Sequence, residues 1–344
     1  MDSFDDGLLN GDTYDYKRYN NVSARPTPST SYGRFGTKGV RLGDSANDYL
    51  QVVPGSSDDT IIVGLAAKVI NVGGSTFENL LYLYDTANGY LNGQVYINLN
   101  GAIGFRNGNN EDQGSSAVGA VPMGTWCYIE VKVVFHPTAG TVDIRVNGTS
   151  VLSLTAKDTV NNIGDNDCGT MNICTATSGS IHDVYIDDLV IMDSTGSTNN
   201  AFLGDVKVVA LLPNGNGNSS QMTGSDGNST DNYLLVDDDP VVTTDYVESS
   251  TVNDHDSYAM ENLGFTPTSV YGVQVSLVAQ KDDTGARSMK PMLRTGSTDY
   301  YGTQVALSTS WAAIREIWDV NPNTTNAWTG TEIDGIEVGQ EVSA

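Results

Sequence analysis

An all-β chain of two tandem β-sandwiches is what this sequence predicts, and three observations predict it. Apolar residues recur at every second position through several stretches, which is the period of a half-buried strand. Gly, Ser, Thr and Asn are abundant while charged residues make up only 17%, a profile that suits many short strands joined by turns rather than helices. The 344 residues also exceed the roughly 250–300 at which a single hydrophobic core stops growing. Two domains, residues 1–195 and 196–344, are therefore expected, each with an ample core and almost no helix.

Taken in order, Ser3-Phe-Asp-Asp6 and Gly39-Val-Arg-Leu42 followed by Asp48-Tyr49-Leu50 resemble the first strands of the concanavalin A-like, laminin-G-like jelly rolls. Gly124 to Phe135 is the strongest strand signal. It places Trp126, Tyr128, Glu130 and Lys132 on one face and Cys127, Ile129, Val131 and Val133 on the other, so one wholly apolar face belongs to a packed sheet. Pro137-Thr-Ala-Gly140 reverses the chain, and Val142, Ile144 and Val146 point inward from the next strand. Asn147-Gly148 then supplies the pair that tolerates positive φ in a tight hairpin, and Val151 to Leu154 returns as the partner strand. Ile186-Asp187-Asp188-Leu189-Val190-Ile191 is the closing strand.

This order, a Trp-led strand, a strand pair around Asn-Gly and a closing Ile-Asp-Asp strand, resembles the concanavalin A-like, laminin-G-like jelly rolls over roughly the first 195 residues. The resemblance implies that the first and closing strands pair. Asp5, Asp6, Asp187 and Asp188 would then meet and could hold a structural calcium, a hard cation that takes carboxylate oxygens. The alternative for such acidic pairs is a solvated turn end, and no other cofactor is expected.

Ser194 to Asn200 is a polar, turn-forming run that reads as a linker. Beyond it, Phe202 to Leu212 reads as a strand and Pro213-Asn-Gly-Asn-Gly-Asn-Ser-Ser220 as a loop. Further strands are expected at Tyr233–Val236, Val270–Val278, Tyr300–Leu307 and Glu332–Val338. Ser310 to Trp318 also fits a helical face through Trp311, Ile314 and Trp318, though its surroundings favour a strand. The Leu203-Gly204-Asp205 segment leading to Pro213, the Lys281-Asp282-Asp283-Thr-Gly285 turn, and Asn321-Pro322 followed by Ala327-Trp328-Thr329 resemble structural proteins of tailed bacteriophages. That resemblance implies a non-enzymatic virion component, such as a capsid decoration, fibre or adhesin-like protein. Its partners would be other virion proteins and copies of itself, and host-surface glycans in the adhesin case. It would assemble in the host cytoplasm, consistent with the absence of a signal peptide at Met1-Asp-Ser-Phe-Asp-Asp6.

Composition removes several other functions. With 17 basic against 42 acidic residues, a net charge of −25, counterion release on nucleic acid has no source. No apolar run approaches the roughly 20 residues of a membrane helix, so membrane insertion is not expected. Cys127 reads as a small core residue; Cys168 and Cys174 leave a bridge open, but three cysteines do not make a disulfide framework. His136, His182 and His255 stand alone, and neither the Asp237-Asp238-Asp239-Pro240 run nor Asp165-Asn166-Asp167 completes a cation loop.

Two sugar-directed alternatives remain beside the virion reading. One is a lectin-like module in which Tyr82, Tyr84, Tyr90 and Tyr96 line a sugar site, set against the half-buried role that strand tyrosines ordinarily take. The other is a glycoside hydrolase. Glu332-Ile-Asp334-Gly-Ile-Glu337 matches the Glu-x-Asp-x-x-Glu pattern of laminarinase-type retaining glycosidases, which resemble the same sandwich, and the match would make Glu332 nucleophile and Glu337 acid/base. On an extended strand those two Cα atoms lie about 16 Å apart, against the roughly 5 Å that retaining carboxyls need. The chain therefore has to bulge there, and the competing reading is the solvent face of a terminal strand.

Overall fold

Alternation settles into ladders wherever the sequence shows it most clearly. The computed structural model describes residues 1, 21–22, 28–42, 49–54, 58–71, 77–87, 89–161, 163–175 and 183–344. The expected opening strand at residues 3–6, together with Asp5, Asp6, Asp48 and His182, lies outside them. Contacts divide the chain into two units, the first ending at Val208 and the second running Val209–Ala344.

The strands of the first unit are β1 (Asn21–Val22), β2 (Val40–Leu42), β3 (Leu50–Val52), β4 (Thr60–Asn71), β5 (Phe77–Tyr84), β6 (Leu91–Asn98), β7 (Ile103–Asn107), β8 (Asp112–Ser115), β9 (Cys127–Val134), β10 (Gly140–Val146), β11 (Thr149–Lys157), β12 (Thr170–Thr175) and β13 (Asp183–Asp193). They form two antiparallel sheets, one in the order β1-β3-β12-β5-β6-β7-β8 and one in the order β11-β10-β9-β4-β13-β2. Leu81, Leu83, Val95, Phe105 and Ile173 of the first sheet and Val63, Leu65, Ile129, Val131 and Ile144 of the second share one buried core. This is the all-β sandwich that the sequence predicts. Asn147 and Gly148 adopt φ of 50° and 75° at the β10–β11 hairpin, as the Asn-Gly pair implies.

The face of β9 opposite the core is covered as well. Residues 203–208 make no ladder, yet Leu203, Val206 and Val208 pack with Trp126, Tyr128 and Val190 on the outside of the six-stranded sheet. The expected strand over 202–212 is therefore an unpaired extended strap. Its apolar residues answer to burial rather than to a strand partner, and they carry the first unit past residue 195 to Val208.

In the second unit, the Asn-Gly-Ser run expected as a loop is instead a strand, Pro213–Ser220, paired with His255–Met260. Small polar side chains alternating at a sheet edge leave its backbone free to pair. The main sheet continues through Glu337–Val342, Ser288–Thr295 and Thr298–Tyr301. Val273–Ala279 and Ala312–Trp318 form a separate two-stranded sheet, which packs on the main one through Val275, Leu293, Trp328 and Ile336. Ser310–Trp318 is thus a strand rather than a helix. Tyr233–Val236 differs from expectation, being largely one turn of 3-10 helix over Asn232–Leu235. Glu332 also lies in a short helix, α1 (Gly330–Ile333).

Candidate functional site

The outward face of the seven-stranded sheet carries hydrogen-bonding side chains in register across six strands. Gln51 lies opposite Asn172, Asn172 opposite Tyr82, Tyr82 opposite Gln94, Gln94 opposite Arg106, and Arg106 opposite Asp112. At about 4.8 Å between neighbouring strands, this row runs about 24 Å. It arises because Leu81, Leu83, Val95, Met171 and Ile173 take the core side, which leaves Tyr82, Gln94 and Asn172 between them on the other.

A second tier flanks the row. Tyr84 stacks beside Tyr82, with ring centroids 6.1 Å apart and planes within 12°. The Asn79 amide donates to the Tyr82 hydroxyl at 2.9 Å, and the Gln51 amide donates to Asn172 at 3.1 Å. Tyr96 pairs directly with Gly104, and a Cβ there would lie 2.4 Å from the Tyr96 ring, so the glycine lets the phenol lie flat across β7. Phe77 packs at 5.3 Å on the other side of Tyr96, whose hydroxyl donates to Asp112 at 3.0 Å.

Two amides distinguish this face. The Asn79 side chain is only 3% exposed, and its Oδ1 accepts no hydrogen bond. Gln94, 6% exposed, stands directly between Tyr82 and Arg106 in the row. Buried amides are ordinarily satisfied, because an unpaired one costs about 1–3 kcal/mol. Burial pushes the Tyr84 phenol up to about 12, with Tyr82 and Tyr49 adding to it, and burial with the Asp112 carboxylate does the same for Tyr96. Both phenols therefore remain protonated donors at neutral pH. Aromatic faces flanked by amide and phenol donors and acceptors are groups that stack on a sugar ring and bond its hydroxyls.

Of the four tyrosines singled out from sequence, Tyr82, Tyr84 and Tyr96 sit on this face, while Tyr90 is exposed in the turn before β6. The amides Gln51, Asn79, Gln94 and Asn172 were missed. The signal that finds Gln94 is the alternation of Leu91-Asn-Gly-Gln-Val-Tyr-Ile-Asn98, in which every second residue is polar or aromatic; Gln51, Asn79 and Asn172 lie on other strands.

The structure does not assemble the hydrolase motif. Glu332 caps α1, accepting from the Thr329 N–H at 2.8 Å in a capping box. Asp334 accepts from the Leu263 N–H at 2.8 Å. Glu337, on the following strand, takes the Asn218 N–H at 2.7 Å and the Ser257 hydroxyl at 2.6 Å, with Arg294 3.8 Å away. Each carboxylate is committed to a different local contact, so Glu332 and Glu337 make no catalytic pair.

The calcium expectation is also corrected for the residues described. The cation beside Asp187 and Asp188 is Arg34: its N–H donates to Asp187 at 2.7 Å, and its guanidinium reaches Asp188 at 3.4 Å while forking onto Asp205. Among the described residues no three His, Cys, Asp or Glu side chains gather as metal ligands. The carbonyls of Asp165 and Asp167 instead accept from Asn92, and His136 Nδ1 accepts the N–H groups of Thr138 and Ala139 in a turn. Cys127, Cys168 and Cys174 are free and buried, with their thiols pushed well above the usual range by burial.

No family model and no curated protein matches the sequence. Among solved structures, the chain is similar to an endo-β-1,4-glucuronan lyase from the fungus Trichoderma reesei, at 15% identity and a TM-score of 0.37 over 56% of this chain and 95% of that one. It is similar to the alginate lyase Aly36B, at 16% identity and a TM-score of 0.35 over 52% and 88%. A Trypanosoma rangeli sialidase in complex with sialic acid gives 11% identity and a TM-score of 0.34; the match spans 49% of this chain and about a quarter of the sialidase, 27%. The expectation of a non-enzymatic virion component rested on fold analogy. The neighbours that fold comparison finds are carbohydrate-active enzymes, so that expectation is withdrawn. The likeness itself is one of fold, and the argument for a site comes from this chain's own residues.

Proposed function

We propose that this protein is carbohydrate-active and holds a glycan chain along the outward face of its seven-stranded sheet. The observation that carries the reading is the in-register row from Gln51 to Arg106, with the unsatisfied Oδ1 of Asn79 beside it. Strand spacing repeats the row at intervals close to the length of one sugar residue, so successive sugars can meet successive side chains. Tyr82 and Tyr84 offer the stacking platform, and the amides offer hydrogen bonds to hydroxyls.

Glycan-array binding followed by titration calorimetry tests this. Tyr82→Ala and Gln94→Ala should each weaken binding about tenfold, through the lost stacking surface and the lost hydrogen bonds. Binding that is unchanged in both variants would remove this face from consideration. Incubating the bound glycan with the protein and sizing the products reports whether the chain is also cleaved.

A further inference from the structure

The proposed row contains a single cation, Arg106, which makes no ion pair among the described residues. Its Nη1 donates to the Asn110 side chain at 3.3 Å, and its Nε is buried without a partner. The guanidinium is held in place by two rings, 3.9 Å from the centroid of Phe77 and 5.2 Å from that of Tyr96. In a chain with 42 acidic residues against 17 basic ones, other arginines find carboxylates: Arg34 with Asp205 at 2.7 Å, Arg41 with Asp183 at 2.8 Å, Arg294 with Asp299 at 2.6 Å. The acid facing Arg106 across the ladder, Asp112, turns its two oxygens to the Tyr96 hydroxyl at 3.0 Å and the Gly114 N–H at 2.9 Å. A guanidinium already oriented by stacking loses little freedom on meeting a carboxylate or sulfate, whose oxygens match its fork.

We infer that the site recognises a glycan bearing one anionic substituent, a carboxylate or a sulfate, seated at Arg106, with uncharged sugars extending over Gln94, Tyr82 and Asn172 toward Gln51. This rests on the saccharide reading of the same face. The number of charges follows from the row between Arg106 and Gln51: its members there are amides and the Tyr82 phenol, which bond hydroxyls and neutralise nothing. A net charge of −25 also repels a polyanion, over a range of about 8 Å at physiological ionic strength.

Calorimetric titration of the full chain tests the inference with matched xylo-, gluco- and galacto-oligosaccharides in three forms: neutral, carrying one glucuronate or one sulfate, and fully uronate. A singly charged chain should bind about tenfold more tightly than its neutral counterpart, and whichever substituent gives the gain identifies the anion. Arg106→Gln should erase that difference between singly charged and neutral chains, and Arg106→Lys should retain only part of it. Should Arg106→Gln fail to fold, salt dependence of the wild type gives the same answer, because only the singly charged ligand should weaken as salt rises. Equal affinity for neutral and singly charged chains, or tightest binding of the oligouronate, overturns the anionic subsite; if Tyr82→Ala still weakens that binding, the face itself stands. Binding of no probe, or binding indifferent to both Tyr82→Ala and Gln94→Ala, removes the site and the inference together.

Discussion

Asp187 and Asp188 show how a single residue's setting decides what a motif means. In sequence they are an acidic pair open to a cation; in the fold they are buried, and the positive charge between them and Asp205 is Arg34. One guanidinium cannot balance the group. Burial, with Asp188 adjacent, raises Asp187 to about 7, against the pull of the Arg34 and Asp188 N–H groups and the Thr37 hydroxyl. Burial raises Asp188 to about 6, against the Val208 N–H and Arg34. Both values lie above the ordinary 3.8, so the fold prefers the neutral acids. Their contribution to stability is fully present below about pH 4 and is lost as the pH rises through 6 and 7. Asp187→Asn should therefore stabilise the protein at pH 8 by on the order of 1 kcal/mol and bring no gain at pH 4. Urea unfolding of both proteins at the two pH values measures this, and a gain of equal size at both would assign the effect to something other than ionisation. Arg34 was not legible beside this pair because it stands more than 150 positions away in sequence, and nothing local announces that its loop returns to β13.

At the scale of the element, strands were legible where one face is wholly apolar. β9 and β10 could be read residue by residue, because Cys127, Ile129, Val131 and Val133, then Val142, Ile144 and Val146, leave no second register that buries them all. Residues 202–220 were read the wrong way round because density of apolar residues was taken for pairing. The strap buries Leu203, Val206 and Val208 without a ladder, while Asn214 to Ser220 forms one without a hydrophobic side chain. The candidate site was legible only through its tyrosines, since the row depends on the register of six strands, from Gln51 to Asp112, that no short window of sequence contains. Register also makes the site vulnerable at a residue with no side chain. Gly104→Ala places a methyl where the Tyr96 ring now lies. It should cost about 1–3 kcal/mol of stability and, by lifting Tyr96 away from Phe77 and Arg106, weaken glycan binding as well. Thermal unfolding and calorimetry on the same preparation separate the two effects. Normal stability with normal affinity would mean that Tyr96 has another position open to it.

For the whole molecule, the contact division at Val208 implies that the first unit needs its strap. Removing residues 196–208 exposes the outer face of the six-stranded sheet around Tyr128, Val190 and Trp126 and takes away three polar ties. These are the Arg34–Asp205 fork, the Gly204 N–H to Glu130 at 2.8 Å, and the Val208 N–H to Asp188 at 2.8 Å. Glu130 is 2% exposed beneath the strap, and the Gly204 N–H is the bond its Oε1 would lose. Burial of two to three aliphatic side chains at about 1.5–3 kcal/mol each, partly offset because Leu203 and Val208 remain half-exposed, gives the strap about 3–5 kcal/mol. That is comparable with the entire net stability of many domains. A fragment of residues 1–208 should therefore unfold cooperatively in urea, and one of residues 1–195 should be largely unfolded or associate through the uncovered face. Light scattering and near-ultraviolet circular dichroism of the two fragments distinguish these outcomes. If the shorter fragment matched the longer in midpoint and solubility, the strap would be a passive tail and the boundary would revert to the polar run at residues 194–200.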